Sequence, residues 1–333
     1  MNMKRTRLAI IGVSAFLLLS GCQGFGRSSY DEKEYVSENL VEVLEIEDKN
    51  IPVTVVGVDE SQPVTITYYE NKNETYTIDD QNNKLVIKKN EPKKGWSIFS
   101  WFNFNFGKGA EVMVEVPSSQ LSSLNVKTSN NKISVENIST NNAKLESSNG
   151  KIHLEDIQAA NKAEVMVEVP SSQLSSLNVK TSNNKISVEN ISTNNAKLES
   201  SNGKIHLEDI QAANKIEGKT NNSKIELDDV NAKEIDFKTS NGKIDLSELS
   251  FSDGRFETSN GKISFDELSV KSYLSIKSSN GSIKGTIAGK QNDFSVESKT
   301  SNGKNNLSNT TSGNKELVVK TSNSEIKVDF SMD

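Results

Sequence analysis

The sequence contains one cysteine, Cys22, so no disulfide can form within a single chain. It has only two histidines, His153 and His206, and no pair of histidines or cysteines at metal-binding spacing, which excludes the usual zinc centres. Positive charge is not in excess: 39 Lys and Arg face 45 Asp and Glu. Without a basic stripe to release counterions, nucleic acid is excluded as a partner. No glycine-rich phosphate loop, Gly-x-Ser-x-Gly elbow or calcium-binding nonapeptide appears, and no cofactor site is indicated. No apolar run is long enough to span a bilayer, and no extended helical period is present.

The longest apolar run, residues 8–19, follows Lys4, Arg5 and Arg7 and has the build of a signal h-region. It ends in Leu19-Ser20-Gly21-Cys22, which looks like a bacterial lipobox, with Cys22 as the acylated mature N-terminus. Residues 1–21 therefore read as a lipoprotein signal peptide and 22–39 as a polar tether. More than one acyl chain at Cys22, such as palmitate, gives a stable anchor on the extracytoplasmic face of the cell membrane. Removing residues 1–21 takes three positive charges and no negative one from a formal count of −6, leaving −9.

From residue 40 to 90 the apolar residues alternate with period two, as in Val64-Thr65-Ile66-Thr67-Tyr68-Tyr69 and Leu85-Val86-Ile87, and predict strands. Aromatics then cluster at Trp96, Phe99, Trp101, Phe102, Phe104 and Phe106. This cluster reads either as an interaction patch or as a plug over the open end of the body that follows; the plug matches the need of such ends for atypical caps. Residues 40–110 form this N-terminal β region with its aromatic cap.

Over residues 111–333 one phrase, Thr/Ser-Ser-Asn-Gly-Lys-Ile, recurs in variants beginning at Thr128, Ser147, Thr181, Ser200, Thr220, Thr239, Thr258, Ser278, Thr300 and Thr321. A period near twenty predicts an all-β fold, a single-stranded β-solenoid (β-helix), expected to be right-handed, with about 20 residues per coil. Alternation places Ile235, Phe237, Thr239, Ile244 and Leu246 inside, with the same set repeated as Phe256, Thr258, Ile263, Phe265 and Leu268. Asn-Gly suits a corner of positive φ, and stacked asparagines are expected to bond into an amide ladder.

Residues 110–162 are repeated without a change as 163–215, so the two histidines are one residue counted twice. The junction makes one step of 34 residues between Ser147 and Thr181, and an irregular coil or an outward bulge is expected at 163–173. The doublets Asp79-Asp80 and Asp228-Asp229 are the nearest catalytic candidates, but neighbours on a strand face opposite ways and neither pair converges on one atom. No catalytic residue is assigned.

The segment 64–87, then Val112-Met113-Val114-Glu115-Val116-Pro117, Leu124-Asn125-Val126-Lys127-Thr128-Ser129-Asn130 and the repeating Ser-Asn-Gly-Lys-Ile, resembles a bacterial putative-adhesin family of unknown function. The resemblance implies a surface or membrane-anchored β-solenoid. With no catalytic set in the sequence, the chain reads as a non-enzymatic adhesin or envelope interaction protein whose polar flank meets a cell-wall polymer, a host surface or an envelope sensor protein. For some similar proteins the resemblance also implies an accessory role in a cell-envelope stress response. A β-helix carbohydrate enzyme is the remaining alternative.

Overall fold

The computed structural model describes residues 30–72, 74–90, 111–157 and 174–332. Among the described residues all regular structure is β apart from a 3₁₀ turn at Gln291–Asp293. The N-terminal part contributes β1 (Asp31–Val36), β2 (Val43–Glu47), β3 (Val53–Val58), β4 (Thr65–Glu70), β5 (Tyr76–Gln81), β6 (Lys84–Lys89) and β7 (Val112–Pro117). The repeats follow as β8 (Ser123–Thr128), β9 (Ile133–Glu136), β10 (Asn142–Ser147), β11 (Ile152–Glu155), β12 (Ser176–Thr181), β13 (Ile186–Ser200), β14 (Ile205–Lys219) and β15 (Ile225–Thr239). The last are β16 (Ile244–Ser247), β17 (Ser250–Thr258), β18 (Ile263–Ser278), β19 (Ile283–Ile287), β20 (Phe294–Lys299), β21 (Lys315–Lys320) and β22 (Ile326–Phe330).

The repeats form the expected solenoid of parallel coils. Ile225 pairs with Ile244 and Ile244 with Ile263, while Phe237 pairs with Phe256 and Phe256 with Ile276. The residues read as inward are buried: Ile235, Phe237, Thr239 and Ile244 are fully so, and the apolar ones belong to one core that also holds the N-terminal strands. Each coil has a third short segment that a two-strand reading omits, for Ile191 to Thr193 pairs with Ile210 to Ala212 and these with Val230 to Ala232. The turn into it is a left-handed residue four positions after the ladder isoleucine: Asn137, Asp156, Asn190, Asp209, Asp229, Glu248 and Glu267, with φ between 46° and 56°. Asn and Asp tolerate that region better than most residues, which explains their recurrence.

The Asn-Gly corner works differently from the expectation. None of the ladder glycines has positive φ; the only such glycine among the described residues is Gly289. A Cβ on Gly242 would stand 1.7 Å from the carbonyl oxygen of Ser223, and one on Gly261 1.7 Å from that of Gly242. Glycine is therefore needed because successive backbones nearly touch there. The first residue of the phrase explains how they are held. Thr258 Oγ1 accepts from the Gly261 amide at 3.1 Å and donates to the Gly242 carbonyl of the preceding coil at 3.0 Å. Ser278 does the same with Gly281 and Gly261, at 2.9 and 3.2 Å. The hydroxyl thus closes its own turn and bonds to the turn of the coil before it.

The asparagine ladder forms as expected. Each side-chain amide donates to the one before it, from Asn130 on Asn50 through Asn149, Asn183, Asn202, Asn222, Asn241, Asn260, Asn280 and Asn323 to Asn302, at 2.5–2.8 Å. A one-way chain of amides polarises along its length, so each bond strengthens its neighbours.

The stack is not in chain order at its ends. β21 pairs with β18 on one side and β20 on the other, and β22 pairs with β19, so the last coil is inserted beneath the one before it. The exposed edge of β20 is covered by the chain that follows, where Val296 and Thr310 exchange two backbone bonds of 3.0 Å. At the other end β6 and β7 stack on β2 and β3 as an outer coil, and β5, β4 and β1 add to it antiparallel. The tether expected over 22–39 therefore gives way at Asp31, where β1 begins. Exposed Asp31, Glu32, Lys33 and Glu34 put charge on this edge strand, which discourages pairing with other chains.

Across the duplication the coils do not lose phase. β10 pairs directly with β12 and β11 with β13, with Ile152 opposite Ile186, as if the step were nineteen residues rather than 34. Residues 158–173, including the segment where an irregular coil or bulge was expected, lie outside the described residues.

Two outcomes test this account. Gly261→Ala should lower stability by more than about 2 kcal/mol, because the clash is with backbone that cannot move aside; a change below about 0.5 kcal/mol in chemical denaturation would refute the close-approach explanation. Deleting residues 163–215 should leave a cooperatively folded protein with a β-type circular dichroism spectrum and two fewer coils, since each coil packs only on its immediate neighbours.

Candidate functional site

The proposed lipidation residue Cys22 and the aromatic cluster Trp96, Phe99, Trp101, Phe102, Phe104 and Phe106 lie outside the described residues. The acidic doublets do not converge on a site. Asp80 accepts from the hydroxyls of Tyr35 and Ser37, at 2.9 and 2.6 Å, and so has a structural task. Asp229 is a left-handed corner residue. Among the described residues no three His, Cys, Asp or Glu side chains cluster as a metal site, and no helix is long and apolar enough to cross a membrane.

What the fold does assemble is one periodic, charged face. On the outgoing strands from β9 to β18 the isoleucine and the residue two places later point into the core, so the lysine before the isoleucine and the residues at second and fourth place after that lysine lie on the opposite face, where Ser134 and Ser187 are themselves buried. Lys132, Lys151, Lys185, Lys204, Lys224, Lys243 and Lys262 precede isoleucines that are stacked in register, and they form one column. Glu136, Glu155, Glu189, Glu208, Asp228 and Asp266 form a second column along the other margin, interrupted only by Ser247. Between them runs a column of Ser134, His153, Ser187, His206, Glu226, Asp245 and Ser264. Taken along the chain, the lysine of the phrase looks like one more solvated residue and the columns stay hidden; the signal that could have found them is the recurring Lys-Ile-x-x-Glu/Asp.

The electrostatics of this face are uneven. Glu226 is clasped by Lys204 and by Lys224 Nζ at 2.9 Å, and these lysines hold its carboxyl down to about 2. Lys224 also reaches Asp245 at 2.7 Å. His206 Nε2 lies 3.3 Å from Glu208 and His153 Nε2 3.3 Å from Glu155. Burial, followed by the charges of Lys204 and Lys151, pulls Lys185 below the ordinary lysine value. On the neighbouring corner, burial and then the Asp229 charge push Asp209 up.

A concavity of about 960 Å³ lies where the chain after β20 folds back beside β17 and β18. Its wall includes Asp253, Arg255, Tyr273, Glu297, Lys315 and Glu316, with the Arg255 guanidinium 5.1 Å from the centre of the Tyr273 ring. The tyrosine face is thereby occupied by the chain's own cation.

A family model described as Toastrack DUF4097 matches residues 41–163 and again 159–333. The chain belongs to the Toastrack DUF4097 family. The boundary between the two matches falls at the duplication junction. Solved structures that match the chain include a putative lipid binding protein from Parabacteroides distasonis, 11% identical, covering 90% of this chain and 96% of that one at a TM-score of 0.40. A putative adhesin from Parabacteroides distasonis is 11% identical over 91% and 97% at 0.35, and one from Parabacteroides merdae 14% identical over 92% and 97% at 0.35. These likenesses are too loose to carry function. No curated protein matches the chain.

The Glu226 cluster makes a pH prediction. Its folded value lies below the ordinary carboxylate value of 4.5, so its contribution is complete above that value and fades as pH falls towards 2. Glu226→Gln should therefore cost about 1 kcal/mol at pH 6 and progressively less as pH drops through that window; an equal cost at pH 6 and pH 2.5 in urea denaturation would refute the assignment.

Proposed function

We propose that this Toastrack protein is a non-enzymatic adhesin or envelope interaction protein, lipid-anchored through Cys22 on the outer face of a bacterial membrane. The observation that carries this reading is the amide ladder from Asn50 to Asn302, which runs through a stack of repeated polar and charged columns that holds, among the described residues, no cluster of His, Cys, Asp or Glu fit for a metal ion. A rod whose surface repeats coil by coil suits multivalent contact with a repetitive partner, and a cell-wall polymer or a host surface offers such repetition. Function in such a protein comes from display: weak contacts add because the scaffold holds them in fixed register. The lipobox at residues 19–22 supports the anchoring.

The test has two parts. Cys22→Ala should abolish incorporation of labelled palmitate and release the protein from the membrane fraction; unchanged retention would overturn the anchoring. Protein lacking residues 1–22 should bind purified wall polymer or an arrayed glycan. Binding to neither, with capture of an envelope sensor protein instead, would replace adhesion by the alternative reading, an accessory role in a cell-envelope stress response.

A further inference from the structure

The pattern Lys-Ile-x-x-Glu/Asp occurs at 132–136, 151–155, 185–189, 204–208, 224–228 and 262–266. On a helix, charges four residues apart would pair with each other. On these strands they lie on the same face but roughly 13 Å apart, at about 3.3 Å per residue, too far for an ion pair. Within a column, coils about 4.8 Å apart place like charges directly opposite one another, which is destabilising. The chain relieves little of this repulsion. Lys204 and Lys224 have Glu226 and Asp245, but Lys132, Lys151, Lys243 and Lys262 are exposed and make no ion pair among the described residues. Glu136 and Glu189 accept only from the serine hydroxyl two places earlier or face His153, and among the described residues no lysine or arginine reaches Glu136, Glu155, Asp228 or Asp266.

We propose that two copies of this chain pair side by side through this face, parallel and related by a two-fold axis along the solenoid, so that each lysine column meets the partner's acidic column coil by coil. The geometry selects this arrangement. A two-fold axis along the solenoid exchanges the left and right margins of the face and keeps every coil at its own height, so lysine opposes carboxylate on both margins. A two-fold axis across the solenoid would set lysine against lysine. Both columns belong to the same coils and have the same spacing, so one matched coil brings the rest into register. The occupant with that spacing and the opposite charge on each margin is a second copy of the same surface. Parallel pairing also points both N-termini the same way, as two chains anchored in one membrane would require.

The face measures roughly 13 Å by 29 Å over six coil steps, on the order of 400 Å² per copy, about half of a standard interface. Pairing should therefore be weak in dilute solution, weaken further in high salt, and gain from confinement on a membrane.

The decisive experiment mixes two charge-reversed chains. One carries Lys132→Glu, Lys151→Glu, Lys185→Glu and Lys262→Glu; the other carries Glu136→Lys, Glu155→Lys, Glu189→Lys and Asp266→Lys. Sedimentation at low salt and high protein concentration should show a dimer for the native chain, at least tenfold weaker self-association for each variant alone, and a heterodimer when the two are mixed. The heterodimer also shows that both variants fold. Zero-length carbodiimide cross-linking of native chains, one of them ¹⁵N-labelled, should give mixed-isotope links within one coil number, such as Lys151 to Glu155. A native chain that stays monomeric throughout, links that join other faces, or reversed chains that never combine would overturn the proposal. So would a monomer whose lysine column binds inorganic polyphosphate, which would assign the face to a polymer instead.

Discussion

The structure depends on how closely two neighbouring coils approach at one corner. Where Gly242 passes Ser223 and Gly261 passes Gly242 there is no room for a Cβ, and the hydroxyl of Thr239 or Thr258 spans the gap. This close approach fixes coil spacing, and coil spacing fixes everything that must match from coil to coil. Isoleucines stack on isoleucines, amides reach amides, and β bonds form without slippage because the corner admits only one register. The core alone would not be so selective, since apolar side chains tolerate sliding far better than a backbone contact does. The corner hydroxyls of Thr239 and Thr258 are buried, so removing either would leave a carbonyl of one coil and an amide of the next without a partner.

Much of this architecture was legible in the sequence because its period was visible. The inward set around Ile235 to Leu246 and the asparagine ladder follow from alternation and recurrence alone. The reason for glycine at the corner did not. Asn-Gly is chemically compatible with positive φ, and only the distance between coils reveals that glycine answers crowding here. The left-handed corner residues were hidden for the opposite reason, since Glu248 and Glu267 are poor candidates for positive φ by residue type and are held there by coils above and below. The charged columns escape a linear reading because Lys-Ile-x-x-Glu looks balanced along the chain. Its imbalance appears only across the stack, where like meets like.

The out-of-order ends carry the same logic. β21 and β22 enter between coils that precede them in sequence, and the amide ladder follows the spatial order, Asn280 to Asn323 to Asn302, not the chain order. The corner therefore recognises a suitable neighbour whatever its distance along the chain. That is the behaviour expected when stability is a sum of nearest-neighbour terms.

It also explains how the repeated block is accommodated. The second copy of 53 residues brings a step of 34 at the junction, yet Asn183 donates to Asn149 at 2.5 Å and Ile186 sits opposite Ile152. An array held by neighbour contacts needs each new coil to fit only the coils above and below it, and a copied coil fits wherever its original did. Length is then free to change while the corner, the core and the face are kept. Because the copied block carries both margins of that face, each added coil lengthens the lysine and acidic columns together and preserves their match. A column of one sign grown alone would only accumulate repulsion; two opposite columns grown in step add attraction to any partner with the same period.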